Sequence, residues 1–514
     1  MNAYGVKWSA GEASIQNQLE KTLVAHFHTA TLLHQSAHRT VHRIVLENAP
    51  GTAPRRDDIV IKIHRTATGR HPLRETWKRR LGMSPARREW KALEDLFAAG
   101  VPVPRPRAWG RLANGDDIIV TDFIDGERVK ASRTEIVNAM ASAIAKLHDA
   151  GYRHGDLHLG NLLASDQKIV LLDLQRARPQ RNARDRLFDL ARLELSLAKA
   201  GWNPTARQAL RDRLGVGDAF EPILRRFLRD HLRGRARRVL RVGRNWRVAR
   251  VGELRGLRDV SLDPEALAAL IETCPHEAHM RERRGGRVQL IETKLTDLED
   301  DERFVLVKRI AAGSFRRAFG DRLRGSPAAR AFHAGQASGL LTKRAARPLA
   351  FLEERRFGLP MKSLLVLEKV GDEDLDRVLP SSPEAEHRLA CALGEWLAEG
   401  HAWGLSHRDL KASNIRVAIQ TDSIQFWMID LEDLSGPAAR SEEVRLHSLS
   451  QLNASLADST FGIEARLAAL EIYQARVPFV HRHRSVAGEI AQRSLARAHR
   501  WHGDDCQCLA RHRK

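Results

Sequence analysis

The chain has 514 residues, 43% of them hydrophobic and 5% aromatic, which is too long for one ordinary core and too apolar for bulk disorder, so two or three domains are expected. Its 85 Lys+Arg against 64 Asp+Glu give a formal charge of +21, which favours an anionic partner such as nucleic acid, a phosphorylated ligand or an anionic membrane face. Four cysteines (Cys274, Cys391, Cys506 and Cys508) are too few for a disulfide framework at this length and fit a reducing cytosol.

The opening residues, MNAYGVKWSAGEASIQNQLEK, lack an apolar h-region, so no secretory leader is expected. An apolar strand carrying Lys62 is predicted over 59–63, followed by a helix over 86–99 that carries Glu89. A strand of hinge type over 117–123 and a long helix over 133–150 come next. The segment HGDLHLGNLLASDQKIVLLDL (154–174) then has His-x-Asp-Leu, an Asn five residues after the Asp, and a short apolar strand ending in Asp-Leu. LARLELSL (190–197) has helical leucine spacing. The most arginine-rich stretch, 225–258, reads as a solvated basic helix or an anion-binding surface. Its Trp246 suits either an interface or the core. Ser261-Leu-Asp-Pro looks like a helix start, which places a domain boundary near 260 and gives domains 1–259 and 260–514.

The second half repeats the first in order. A strand over 304–310 carries Lys308, a helix covers 328–342, a strand 364–370 and a long helix 383–403. HRDLKASNIRVAIQTDSIQFWMIDL (407–431) repeats the His-x-Asp-Leu, the Asn five residues after the Asp and the apolar strand ending in Asp-Leu, and LSQLNASL (449–456) repeats the leucine helix. The prolines near 104 and 348 match as well. Two copies in one order predict two tandem domains of one α+β fold, each bilobal, with a strand-rich front and a helical rear. The longest apolar runs, KIVLLDL and SLLVLEKV, are strand-sized and far below the ~20 residues of a membrane span.

Phosphoryl transfer from ATP needs positioned phosphates, metal ions to neutralise charge and a carboxylate to orient the attacking hydroxyl. The repeat supplies these groups. Asp156 is placed to accept the hydroxyl proton, Asn161 and Asp173 to hold metal, and Lys62 to reach the phosphates while held by Glu89. The matching residues of the second copy are Asp409, Asn414, Asp430 and Lys308, with Lys411 two residues after Asp409 as a further phosphate-facing cation. His154 and His407 are expected to brace the loops rather than bind metal.

This constellation resembles the protein-kinase-like superfamily, and within it the bacterial lipopolysaccharide core kinases that act on Kdo and heptose. HGDLHLGN and REWKALEDLFAAGVPVPRP are similar to small-molecule and sugar kinases, and HRDLKASN is closer to the protein-kinase spelling. The resemblance implies two bilobal kinase-like domains that use ATP and Mg2+ to phosphorylate a sugar hydroxyl of an anionic glycolipid or lipopolysaccharide core. It also implies a cytoplasmic location with peripheral contact at the inner membrane face, and disfavours nucleic acid as partner. An atypical serine/threonine kinase and a non-catalytic basic anion-binding protein are the alternatives.

The departures are specific. Asp173-Leu-Gln and Asp430-Leu-Glu replace the usual glycine-bearing triplet, and no Ala-Pro-Glu closes a peptide platform after either copy. Arg284-Gly285-Gly286 is the nearest thing to a glycine-rich loop. Aligning Pro348 with Pro106 puts Ala331 opposite Glu89, so the second copy lacks the carboxylate that orders the lysine. Gly155 stands where the second copy has Arg408. The first copy is therefore expected to be the better catalyst. The His499, His502, Cys506 and Cys508 tail matches no standard zinc spacing.

Overall fold

The computed structural model describes residues 5–20, 30–36, 39–47, 56–65, 84–130, 133–166, 168–217, 219–239, 242–243, 245–273, 281–283, 288–299, 301–311, 315–341, 345–421, 423–438, 440–480 and 485–497. Cys274, Arg284-Gly285-Gly286, His481, His483 and the His/Cys tail lie outside them. The chain divides into two compact units, Met1–Ile223 and Leu224–Lys514.

The first unit opens with a six-stranded antiparallel sheet. Its strands are β1 (Val6–Gly11), β2 (Thr31–Gln35), β3 (Arg39–Glu47), β4 (Arg56–His64), β5 (Pro106–Leu112) and β6 (Asp117–Asp122), in the order β1-β5-β6-β4-β3-β2. Alternation along β4 decides what faces where. Ile59, Ile61 and Ile63 point into a core with Ile44, Leu46, Ile118 and Val120, so Lys62 falls on the opposite face. Helix α1 (Pro85–Ala98) begins at a Ser84 cap, whose Oγ accepts from the Arg87 amide at 3.1 Å. Its buried stripe comprises Ala86, Glu89, Trp90, Leu93 and Leu96, with a carboxylate among apolar side chains.

The rear of this unit holds α2 (Thr134–Asp149), the hairpin of β9 (Leu162–Ser165) and β10 (Lys168–Leu171), α3 (Ala183–Lys199) and α4 (Pro204–Arg213). Short pairings complete it. β7 (Glu127–Arg128) adds to β9, and β8 (Tyr152–Arg153) pairs with β11 (Arg178–Pro179). Helix α5 (Phe220–Val239) crosses the division between the units.

The second unit has a seven-stranded sheet ordered β12-β13-β17-β18-β16-β15-β14. The strands are β12 (Trp246–Val251), β13 (Leu254–Asp259), β14 (Arg281–Arg283), β15 (Val288–Thr296), β16 (Glu302–Ala311), β17 (Pro348–Arg356) and β18 (Leu359–Glu368). α6 (Pro264–Thr273), α7 (Phe315–Arg324) and α8 (Pro327–Leu341) flank this sheet. α9 (Pro383–Ala402), α10 (Glu442–Ser455), α11 (Ile463–Arg476) and α12 (Val486–Leu495) form the rear, with the hairpin of β21 (Ile415–Ile419) and β22 (Ile424–Met428), to which β19 (Glu373–Asp374) adds, and the short pair of β20 (Ser406–His407) and β23 (Leu434–Ser435). One apolar core runs from Phe332 and Leu365 through Leu393, Ile415 and Leu431 to Leu452 and Tyr473.

The expected lysine strands, first helices, hinge strands and long helices all form within a few residues of their predicted bounds. The boundary near 260 is corrected. Residues 246–259 are not the end of a basic first domain but the β12–β13 hairpin of the second unit's sheet, and β13 pairs with β17. The hairpin is held there because it has an apolar face. Trp246, Ala249 and Val251 are buried while arginines occupy exposed positions between and beside them. Trp246 is a core residue, with its ring 4.7 Å from that of Phe332.

Candidate active site

Backbone and side-chain bonds shape the two loops in the same way. In the first unit the Asn161 Nδ2 donates to the Asp156 carbonyl at 2.9 Å. In the second, the Asn414 Nδ2 donates to the Asp409 carbonyl at 3.0 Å. The Leu159 amide donates to Ser196 Oγ at 3.0 Å, and the Ala412 amide to Ser455 Oγ at 2.8 Å. His154 and His407 brace their loops as expected, their Nε2 atoms lying 3.0 Å from the Leu172 carbonyl and 2.6 Å from the Asp430 carbonyl. Burial pushes the His154 imidazole below its ordinary value.

The lysines have different partners. Lys62 Nζ donates to Glu89 Oε1 at 2.5 Å, and His64 Nε2 lies 3.4 Å from the other oxygen. Glu89 is 1% exposed. Its burial acts to raise its pKa, but the attraction of Lys62, seconded by His64, outweighs that and holds the carboxyl well below the usual carboxylate range. In the second unit the Ser326 cap and Pro327 start α8 as Ser84 and Pro85 start α1, and this register places buried Ala331 at the Glu89 position. With no carboxylate there, Lys308 Nζ turns to Asp430 Oδ1 at 2.6 Å, with Glu432 Oε1 at 3.9 Å.

Asp173 takes a left-handed backbone conformation (φ 60°, ψ 60°), which Asp tolerates better than most residues. Arg39 Nη1 from β3 donates to its Oδ1 at 2.8 Å. The turn Leu174–Arg176 packs against α1, which brings the Asp173 loop beside the helix that carries Glu89. Asp430, Glu432 and Asp433 bring one oxygen each to within 4.8 Å of one another. Lys308 engages Asp430, however, and Arg408 pairs with Asp433. The Asn161 amide has its Nδ2 committed to the Asp156 carbonyl, which leaves Oδ1 as its ligand atom. Amide and carboxylate oxygens are the hard ligands that Mg2+ prefers, so Asn161 and Asp173 fit such an ion.

Several functional positions escaped the sequence reading. Asp189 on α3 is buried and accepts the His154 amide at 2.6 Å and the Gly155 amide at 2.8 Å, fixing the loop backbone. Arg192, one turn on, donates from Nη1 to Asp156 Oδ1 at 2.7 Å, and Arg176 Nη1 lies 3.6 Å from Oδ2. Arg128 donates to the Gly160 carbonyl. In the second unit, buried Arg416 on β21 gathers the carbonyls of Val370, Gly371 and Asp372 and the carboxylates of Asp374 and Glu292. Helical leucine spacing was the signal read in α3, and it is silent about the polar residues between the leucines.

Comparison with known proteins follows this geometry. The lipopolysaccharide kinase (Kdo/WaaP) family model matches twice, at residues 51–212 and 323–473, which is more than half of the chain; the first match holds Lys62, Glu89, Asp156, Asn161 and Asp173, and the second holds Asp409, Asn414 and Asp430 but begins after Lys308. The chain belongs to the lipopolysaccharide kinase (Kdo/WaaP) family. A 3-deoxy-D-manno-octulosonic acid kinase of Vibrio parahaemolyticus is 30% identical over 122 residues, 22% of this chain and 51% of that protein. The KEOPS complex subunit Bud32 of Pyrococcus abyssi is 34% identical over 64 residues, 11% of this chain and 29% of that protein. The chain thus spans about half the length, or less, of the curated relatives it matches. Among solved structures, WaaP in complex with acyl carrier protein is 20% identical over 44% of this chain and 93% of that one, with a TM-score of 0.30.

Proposed function

We propose that the protein transfers the γ-phosphate of ATP to a sugar hydroxyl of an anionic glycolipid of the lipopolysaccharide-core type, and that turnover resides in the first unit. The observation that carries this reading is the Lys62–Glu89 pair standing with Asp156, Asn161 and Asp173, where the second unit has Lys308 collapsed onto Asp430.

In this reading Lys62, held by Glu89, meets the phosphates of ATP. Asp156 accepts the acceptor's hydroxyl proton, and Asp189 fixes the loop that aims it. Asn161 and Asp173 would hold Mg2+, which when bound neutralises charge on the phosphates. Lys308, Asn414 and Asp430 keep the same residue types in the second unit, and both units pair their loop carboxylates with cations, but in the second unit the lysine itself is spent on Asp430, whereas Asp173 pairs with Arg39 and Lys62 is held by Glu89. The second unit is assigned a supporting role.

The charge around the first loop supports an anionic acceptor. Arg128, Arg176 and Arg192 surround Asp156 and Gly160. Loop and helix register put Asp374, Asp433 and Gln451 at those positions in the second unit. The chain's excess of 85 basic over 64 acidic residues points the same way. Helix α3 starts at Ala183, soon after Asp173, which leaves little chain for a peptide platform. Among the described residues no helix is long and apolar enough to cross a membrane, and work at the inner face of the cytoplasmic membrane is part of the proposal.

Incubation of the full chain with ATP, Mg2+ and core oligosaccharide tests this. Phosphate on the oligosaccharide is the expected result. Labelling of protein substrates with the oligosaccharide untouched contradicts the sugar acceptor.

A further inference from the structure

The two units place a cation against the loop carboxylate by different routes. In the second unit the cation comes from the loop itself, with Lys411 Nζ 2.9 Å from Asp409 Oδ2. The first unit has His158 at that position. Its ring turns back on its own loop, Nδ1 accepting from the Gly160 amide at 3.0 Å. The cation there is Arg192 of α3, 2.7 Å from Asp156 Oδ1.

The exchange is reciprocal. The Leu159–Ser196 and Ala412–Ser455 bonds fix one register between loop and helix, so Arg192 corresponds to Gln451. Gln451 carries no charge and instead accepts the Leu410 amide at 3.3 Å. Where the loop has a lysine the helix has an amide, and where the loop has a histidine turned back on its own backbone the helix has a guanidinium. A cation used only to fix the loop would not need this compensation, because Asp189 already holds the loop backbone in the first unit.

We propose that Arg192 is a catalytic residue of the first unit: the cation that meets the transferring phosphoryl group, delivered from the helix in place of the loop lysine. This rests on the reading of Asp156 as the proton acceptor. In the step, the acceptor oxygen forms a bond to phosphorus while the bond from phosphorus to the β,γ-bridging oxygen breaks. That oxygen leaves with the electron pair as ADP, and the hydroxyl proton passes to Asp156. Arg192 contributes charge and hydrogen bonds only. Its planar fork carries five donors, enough to serve a phosphoryl oxygen as well as Asp156, and its side chain is 34% exposed beside that carboxylate. Charge spread over the phosphoryl oxygens makes such a cation most effective in the transition state.

The test uses the full chain in an Asp409→Asn background with ATP, Mg2+ and core oligosaccharide. Arg192→Gln should lower kcat by about 100-fold or more and leave the KM for ATP within about threefold. Adding His158→Lys to Arg192→Gln should restore at least about tenfold of that loss, since it rebuilds the second unit's arrangement. Arg192→Lys, which keeps the charge, should retain far more activity than Arg192→Gln. Arg192→Gln with near-full kcat overturns the proposal. So does a double variant no better than Arg192→Gln with a thermal midpoint equal to that of the background protein, because recovery by a charge placed elsewhere is what a structural role does not give. An active parent with an indifferent Arg192 removes this inference alone, whereas a parent silent towards every acceptor removes the kinase reading beneath it.

Discussion

The Lys308 ammonium sits 2.6 Å from the Asp430 carboxylate, and it does so because the helix beside it offers Ala331 where the first unit offers Glu89. A buried lysine needs a counter-ion. In the first unit that counter-ion lies on α1, which leaves the lysine clear of Asp173. Among the described residues of the second unit, the carboxylates within 4 Å of Lys308 are those of Asp430 and Glu432. One missing carboxylate thus joins two groups that ATP and its metal would have to separate.

The two lysines should accordingly respond differently to removal. Lys62→Met should lower phosphate transfer by about 100-fold or more. Lys308→Met should change it by less than about threefold, because the lysine it removes is committed to Asp430. Steady-state transfer by the two full-length variants checks this.

Glu89→Gln should destabilise the first unit by about 3–5 kcal/mol, since it strands a mostly buried Lys62 without its counter-ion. The pH dependence has a definite sign. The folded-state pKa of Glu89 is depressed, so the pair's contribution is fully present above the unfolded carboxyl value, which is 4.5. It is lost only as pH falls below that value towards the folded one. Denaturant melts should show a constant gap between wild type and variant from pH 6 to 8 (roughly the window where the carboxyl is ionised in both states) and a shrinking gap under acid.

Asp189→Ala should cost about 2–4 kcal/mol, because it leaves the His154 and Gly155 amides without their acceptor. It should also lower kcat, since the loop that aims Asp156 loses its tie. Ser448 occupies the same helix position in the second unit and only donates to the Val444 carbonyl within its own helix. Ser448→Ala should therefore stay within about 1 kcal/mol of wild type. Paired chemical melts and activity assays separate the two.

Much of the fold was legible because its signals are local. Alternating isoleucines mark the Lys62 strand, Ser-Pro marks the starts of α1 and α8, and an Asn five residues after the Asp, followed by a strand that ends in Asp-Leu, marks both loops. These residues act through neighbours a few positions away. The misplaced boundary has an equally local cause. Arginines at the exposed positions of β12 and β13 extend the charge pattern of α5, so a hairpin reads as more basic helix. Arg192, Asp189 and Arg416 were invisible for a different reason. Each works on a group more than 30 residues away, through bonds that only the packing of α3 on the loop, or of β21 on the hinge, creates.

If the first unit does the chemistry, transfer to core oligosaccharide by full-length Asp156→Asn and Asp409→Asn must separate the two units. Asp156→Asn should lose on the order of 1,000-fold in turnover while binding Mg-ATP nearly as the wild type does, and Asp409→Asn should keep most of its activity. Near-full turnover by Asp156→Asn, with loss in Asp409→Asn, contradicts the assignment.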